Sequence, residues 1–221
     1  TVTGTNLDLL LHDLFPLEGH ITGKAKIQFK GNGLLGKHLD GSGSFSVSEG
    51  HVSDFKIVKT IAKAYGKSTI DYRSIEGRYT LDSLALTLLP GTQAYAPKGD
   101  PMYTYFGADG TVKYDGKLNL SCYGNLNVQA INAIVGGIKG GVLAAESLES
   151  ALEGFLSGLL QAGQKSDYRD VTFKLTGTIK SPKISNFNVS RPEGETESSQ
   201  DITSIQGETP GETKQESPED V

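Results

Sequence analysis

The sequence predicts an α+β protein in which β-strands predominate, and three observations favour this class over a helical bundle. Glycine accounts for 28 of the 221 residues, tryptophan is absent, and apolar residues make up only 36% of the chain. Several segments alternate strictly between apolar and polar residues, as half-buried strands do. Gly, Asn and Asp, which are typical of tight turns, separate these segments. We therefore expect eight or nine antiparallel strands, flanked by amphipathic helices.

The first predicted helix lies near residues 6–15, where four leucines recur at helical spacing. Asn6 and Asp8 are both suitable N-caps for it. Pro16 ends the helix, because proline lacks the N–H that a helix interior requires. Residues 24–30 then alternate between polar and apolar side chains, which predicts a strand with one buried face.

Glycine-containing dipeptides mark the predicted turns. We expect turns at 31–33, 49–50, 109–110 and 115–116, and a loop at 89–102. Further alternating patterns, over 39–52, 74–81, 84–89, 103–120 and 171–179, predict more strands. The last of these leads through residues 180–184 to Phe187 and Val189.

Two more helical regions are predicted. Ser53 and Asp54 precede an amphipathic segment and are expected to cap a helix near 54–65, which Gly66 ends. The longest helical pattern covers 128–162. Two glycine pairs in its first half weaken the helix by about 1 kcal/mol per glycine relative to alanine. We therefore expect a break there, which gives two helices.

The charge of the chain is uneven. Residues 191–221 contain nine acidic and two basic residues, whereas residues 1–190 contain 17 acidic and 19 basic ones. The acidic segment has no aromatic residue and cannot bury enough apolar surface to offset the entropy cost of ordering it. We expect one domain over 1–190 and a disordered acidic tail over 191–221. The domain is nearly neutral, so we expect no nucleic-acid partner.

No arrangement of reactive residues indicates an enzyme. The four histidines have no metal-ligand spacing, so we expect no metal and no other cofactor. Cys122 lies in a strand pattern and is interpreted as a structural thiol, and a single cysteine excludes an internal disulfide. No segment has the length of a transmembrane helix, and no signal peptide opens the chain. The first residues look like the middle of a strand, so we expect the chain to be a piece of a longer protein.

Five segments follow one another in a characteristic order: TNLDLLLHDL at 5–14, LEGHITGKAKIQFKGNG at 17–33, LDGSGSFSVSEGHVSDF at 39–55, SIEGRYTL at 74–81 and LTGTIKSPKI at 175–184. This order resembles the C-terminal region of AsmA-family proteins, in which a short helix, a strand and a GSGSF hairpin precede an amphipathic helix. The resemblance covers residues 4–190.

The resemblance implies a protein of the Gram-negative-type cell envelope. It would be anchored to the inner membrane by an N-terminal helix outside this chain, with the remainder in the periplasm. The implied function is outer-membrane biogenesis, in which phospholipid passes between the inner and outer membranes along a U-shaped β groove. Contact with the membrane would then be made by regions outside this chain.

A curved antiparallel sheet would form such a trough, because alternating strands give it an apolar inner face and a polar outer face. For each lining residue, the alternative to contacting phospholipid or another acyl-chain ligand is packing against the helices. The alternative function is a non-enzymatic scaffold that docks envelope assembly partners through a sheet edge or the 128–162 helix. The candidate lining residues are Ile27, Phe29, Phe45, Val47, Tyr79, Leu81, Val112, Leu118, Leu120, Phe173 and Leu175.

Overall fold

The computed structural model describes residues 2–15, 17–34, 38–141, 143–145 and 167–190, all within one compact unit. These residues form twelve strands and three helices, rather than the eight or nine strands expected. In chain order the elements are β1 (Val2–Asn6), α1 (Leu7–Leu14), β2 (His20–Ile21), β3 (Lys24–Leu34), β4 (His38–Ser53), α2 (Lys56–Ala64), β5 (Thr69–Leu81), β6 (Ala85–Leu88), β7 (Gln93–Tyr95), β8 (Tyr103–Lys113), β9 (Lys117–Asn127), α3 (Val128–Lys139), β10 (Ala144–Ala145), β11 (Tyr168–Thr178) and β12 (Pro182–Val189).

The strands belong to a single, mainly antiparallel sheet, as the alternating segments predict. Its order is β1-β3-β4-β5-β6-β8-β9-β11-β12-β10, and β2 pairs with β4 beyond the start of β3. β6 and β7 pair with successive parts of β5 and β8, so together they fill one position in the sheet. β7 lies inside the segment 89–102 that was expected to be a loop. Among the described strands, the short pairing of β10 with β12 is the parallel exception to the predicted antiparallel sheet.

Three of the predicted turns are wrong, because the glycines concerned lie inside long strands. Residues 31–33 belong to β3, 49–50 to β4 and 109–110 to β8. The turn at 115–116 is confirmed: it joins β8 to β9, and the Gly116 N–H donates to the Lys113 carbonyl at 2.8 Å. Glycine in this chain therefore has a second use besides turns, which is close packing within the sheet.

Helix boundaries follow the local capping chemistry. Asn6 caps α1 by accepting the Asp8 N–H at 3.0 Å, which decides between the two predicted caps. The predicted capping of α2 by Ser53 and Asp54 is wrong. Ser53 is the last residue of β4 and donates its hydroxyl to Asp54, so Phe55 becomes the N-cap. Gly66 ends α2 as expected, since its N–H donates to Lys63 and the next N–H donates to Ala62.

The third helix is shorter than the predicted pattern at 128–162. It ends at Lys139 with Gly140 as its C-cap, within the two glycine pairs that predicted a break. Ala144 and Ala145 form β10 instead of continuing a helix, and this corrects the prediction for those residues. The remainder of that pattern, from 146, and the tail at 191–221 lie outside the described residues.

The apolar side chains form two clusters. The larger one is built on β8, β9, β11 and β12 and is covered by α3, whose Ile131 and Ile134 are almost completely buried. The smaller one is built on β3, β4 and β5 and is covered by Leu7 and Leu11 of α1. None of the helices in the described ranges has both the length and the apolar character needed to span a bilayer.

Candidate functional site

The candidate lining residues of the first half of the sheet share one face. In an antiparallel sheet, directly paired residues point to the same side, and so do alternate residues along a strand. Phe29 pairs with Gly43, which pairs with Tyr79. Ile27 pairs with Phe45, two residues along the same two strands. The pairing thus places the candidates on β3, β4 and β5 on a single face.

The same face continues into the second half of the sheet. Leu81 pairs with Leu86, Leu86 pairs with Val112, and Val112 pairs with Leu118. Leu120 pairs with Leu175 on β11. The pairing brings all of the sequence-predicted residues to one side of the sheet: Ile27, Phe29, Phe45, Val47, Tyr79, Leu81, Val112, Leu118, Leu120, Phe173 and Leu175. We call this side the apolar face.

Burial divides the apolar face into two groups. Four candidates are buried, and their contacts are those of a core: the Phe173 ring, for example, lies 6.0 Å from Phe106 and 5.8 Å from Phe187 between ring centroids. For these four, packing within the protein is the observed role. The other seven are half-buried. The buried group is Val47, Tyr79, Leu120 and Phe173, and the half-buried group is Ile27, Phe29, Phe45, Leu81, Val112, Leu118 and Leu175.

Glycines opposite aromatic rings are a feature of this face that the sequence reasoning missed. A Cβ atom on Gly43 would lie 2.8 Å from the Tyr79 ring, and one on Gly77 would lie 2.8 Å from the Phe45 ring. Each ring therefore occupies the space that a side chain on the neighbouring strand would need. The available signal was glycine at alternate, inward positions of a strand, which indicates close packing rather than a turn.

Burial raises the pKa of three polar groups on the sheet, which are two tyrosine hydroxyls and one thiol. Burial raises the pKa of the Tyr72 hydroxyl to about 12, and this hydroxyl donates to the Thr22 carbonyl. The Tyr79 hydroxyl donates to the Gln28 carbonyl at 3.1 Å. Burial also raises the pKa of the Cys122 thiol to about 12, so it stays protonated at neutral pH. These groups satisfy backbone acceptors or fill the core.

A second site combines residues that the sequence analysis did not bring together: Asp8 and His12 are four residues apart on α1, but no spacing connects them to His20. Asp8 and His12 of α1 meet His20, the first residue of β2, and ligand atoms from all three lie within 4.8 Å of one another. His20 Nδ1 is 3.0 Å from Asp8 Oδ2, and His12 Nε2 is 3.6 Å from Asp8 Oδ1. We call these three residues the Asp–His cluster. It corrects the interpretation of His12 and His20 as scattered residues.

The electrostatics of the Asp–His cluster follow from these contacts. Burial acts to raise the pKa of Asp8, but the hydrogen bonds from His20 and from the Ile21 N–H outweigh it and leave the pKa below its ordinary value. The hydrogen bond with Asp8 raises the pKa of His20, and the negative charge of Asp54 adds to this effect. The cluster therefore places the Asp8 carboxylate, whose charged form is favoured, against the imidazole of His20.

The chain matches no protein-family model, and neither a curated protein nor a solved structure shows significant similarity to it. The resemblance to AsmA-family proteins therefore rests on the order of the sequence motifs.

Proposed function

We propose that the apolar face binds the acyl chain of a phospholipid or a similar lipid. The observation that supports this most is the group of seven half-buried apolar residues on one side of a continuous sheet. Five of the seven pack against the two clusters that α1 and α3 cover, whereas Phe29 and Leu81 belong to neither cluster. A long apolar ligand would complete the burial of such residues.

The dimensions of the strands suit an acyl chain. β8, β9 and β11 each have 11 residues, and at about 3.3 Å per residue such a strand extends for roughly 36 Å. The hydrocarbon of one bilayer leaflet is about 15 Å deep, half of the bilayer core. Burying each methylene contributes about 0.8 kcal/mol, so a chain lying along the apolar face would be held by many small contributions.

We propose further that the sheet curves so that the apolar face is concave. Register shifts of the kind that β-bulges introduce add a residue on β1, β8 and β12, and bulges bend a strand and increase its twist. Phe15, the C-cap of α1, stacks on Tyr114 in the turn between β8 and β9, with 5.8 Å between ring centroids. Glu18 lies 3.8 Å from Lys180 in the turn before β12. The segment that follows α1 therefore contacts two turns, the one between β8 and β9 and the one between β11 and β12.

The AsmA resemblance supplies the biological setting of the proposal. In that setting the chain is a non-enzymatic segment of an envelope-biogenesis protein that is anchored to the inner membrane and conducts phospholipid through the periplasm. Within this setting, binding of an acyl chain to the apolar face can be tested with the purified chain alone.

Lipid retention and probe binding test the proposal. Lipid should be recovered by extraction or native mass spectrometry of the purified chain, and a fluorescent acyl probe should bind and compete with phospholipid. Leu118→Asp should abolish probe binding because it places a charge on the apolar face. Asn119→Asp is the matched control, since it introduces the same group at the next residue, on the opposite face.

Leu118→Asn guards against misfolding, since it is polar but uncharged, and circular dichroism checks that each variant is folded. Absence of both co-purified lipid and probe binding would overturn the proposal, as would equal probe binding by Leu118→Asp and Asn119→Asp. Crosslinking that captures envelope proteins in place of lipid would favour the scaffold function.

A further inference from the structure

We propose that Asp8, His12 and His20 form a binding site for a divalent transition-metal ion of the Zn²⁺ type. The site is separate from the lipid proposal and does not depend on it. Its residues come from two elements: Asp8 and His12 are one turn apart on α1, and His20 begins β2. Residues four apart on a helix lie on the same face, so α1 presents two ligands together.

The distances fit the coordination of such an ion. Zn²⁺ binds imidazole nitrogen and carboxylate oxygen at about 2.0–2.2 Å, so tetrahedral ligand atoms lie about 3.4 Å from one another. His20 Nδ1 lies 3.0 Å from Asp8 Oδ2, and His12 Nε2 lies 3.6 Å from Asp8 Oδ1, the other oxygen of the same carboxylate. One ligand atom from each of the three residues lies within 4.8 Å of the other two. Small side-chain rotations would therefore place all three ligands around one ion.

The donor set selects the class of ion. Two imidazoles and one carboxylate suit Zn²⁺, Co²⁺, Ni²⁺ and Cu²⁺, whereas Mg²⁺ and Ca²⁺ prefer oxygen ligands. Three protein ligands leave a fourth tetrahedral position for water or another ligand. The carboxylates of Asp8 and the nearby Asp54 also give the site a negative potential that attracts a cation.

The surrounding backbone holds the ligands in place before an ion arrives. The Ile21 N–H donates to Asp8 Oδ1 at 3.1 Å, which orients the carboxylate. The Leu7 N–H donates to the Gly23 carbonyl at 3.3 Å, which ties the start of α1 to the segment after β2. These contacts mean that the two elements need not be brought together by the ion itself.

The site is open enough for an ion to enter. The side chain of His20 is 49% exposed, that of His12 is 33% exposed and that of Asp8 is 20% exposed. An ion bound there would link α1 to β2. Because the ligands come together only in the folded state, binding would stabilise the native protein.

Titration of tag-free protein with Zn²⁺ tests the site. We expect saturable binding of one ion per chain by isothermal titration calorimetry, visible d–d absorption with Co²⁺, and slower amide hydrogen exchange in α1. His12→Gln, His20→Gln and Asp8→Asn should each weaken Zn²⁺ binding by at least about 100-fold. Loss of a residue that only hydrogen-bonds to a metal ligand costs at most about 100-fold, so a larger loss identifies a direct ligand.

Two variants serve as matched controls. His51→Gln removes a histidine of β4 outside the cluster, and Asp13→Asn removes an exposed carboxylate of α1. Both should bind Zn²⁺ like the unmodified chain. The proposal is overturned if no saturable one-to-one binding occurs, or if His20→Gln binds as tightly as His51→Gln. Because the cluster residues are partly exposed, these substitutions leave the core intact and circular dichroism should be unchanged.

Discussion

At the scale of single residues, several glycines of this chain make room for aromatic rings on neighbouring strands. Gly43 lies on β4 between Phe29 of β3 and Tyr79 of β5, and it pairs directly with both. The Tyr79 hydroxyl reaches over Gly43 to the Gln28 carbonyl at 3.1 Å. The ring thus packs and donates a hydrogen bond at once, which is possible only because position 43 has no side chain.

Gly43→Ala should therefore destabilise the protein by about 1–3 kcal/mol, the usual cost of overpacking a filled site. The added methyl would overlap the Gln28 carbonyl oxygen and lie 2.8 Å from the Tyr79 ring. Gly136→Ala is the matched control, because that position is exposed, lies in α3 and has open space around it. It should stabilise the protein by about 0.5–1 kcal/mol. Urea denaturation measures both, and equal effects would show that ring packing does not require Gly43.

At the scale of secondary-structure elements, α1 and α3 begin in the same way but in different surroundings. Asn6 caps α1 with a hydrogen bond to Asp8 N–H at the protein surface. Asn127 caps α3 by accepting the Gln129 N–H at 2.8 Å, and it is only 2% exposed. The Asn127 side chain also accepts the Tyr65 hydroxyl at 3.1 Å, which links α3 to the end of α2.

The two caps should therefore differ in their contribution to stability. Asn6→Ala should cost about 1 kcal/mol, the typical value for losing an N-cap. Asn127→Ala should cost roughly 2–4 kcal/mol, because it also leaves the Tyr65 hydroxyl without this acceptor. Chemical denaturation of the two variants in parallel gives the comparison. Equal losses of stability in Asn6→Ala and Asn127→Ala would mean that water replaces Asn127 as the partner of Tyr65. The double variant Asn127→Ala/Tyr65→Phe would then be as stable as Asn127→Ala alone.

At the scale of the whole molecule, local patterns were sufficient to predict which residues share a face. Alternation along β3 identified Ile27 and Phe29, and strand pairing places them with Leu118 across the sheet. The partners of each strand were harder to predict. Asp8 and His20 meet because β2 pairs with the end of β4 while α1 packs beside it, and no spacing in the sequence contains that information.

The same limit explains the errors. Glycine at 49–50 and 109–110 has the local signature of a turn, because turn propensity depends on neighbouring residues only. Whether a glycine lies under a ring depends on a residue far away in sequence, as with Gly77 and Phe45. β7 escaped prediction for a related reason: its three residues are held by β5 and β8 on either side, so tertiary pairing outweighs the Pro- and Gly-rich surroundings.

The two apolar clusters lie on one hydrogen-bonded sheet, which predicts that they unfold together. Phe173 is 3% exposed and packs between Phe106 and Phe187 in the larger cluster. Phe173→Ala should destabilise the protein by about 3–5 kcal/mol, as expected for removing a buried ring. β3 and β4 belong to the smaller cluster, but they should lose protection from hydrogen exchange by the same amount as β11, because the ladder from β4 to β11 is continuous.

Hydrogen exchange measured peptide by peptide distinguishes this expectation from two independently stable halves. Phe173→Leu is the milder companion variant, since it keeps most of the apolar volume and should shift the protection of both halves by a smaller, equal amount. If Phe173→Ala lowered the protection of β11 and left β3 and β4 unchanged, the sheet would consist of two cooperative units. The boundary would then be expected at the position shared by β6 and β7, where the pairing between β5 and β8 passes through two short strands instead of one long one.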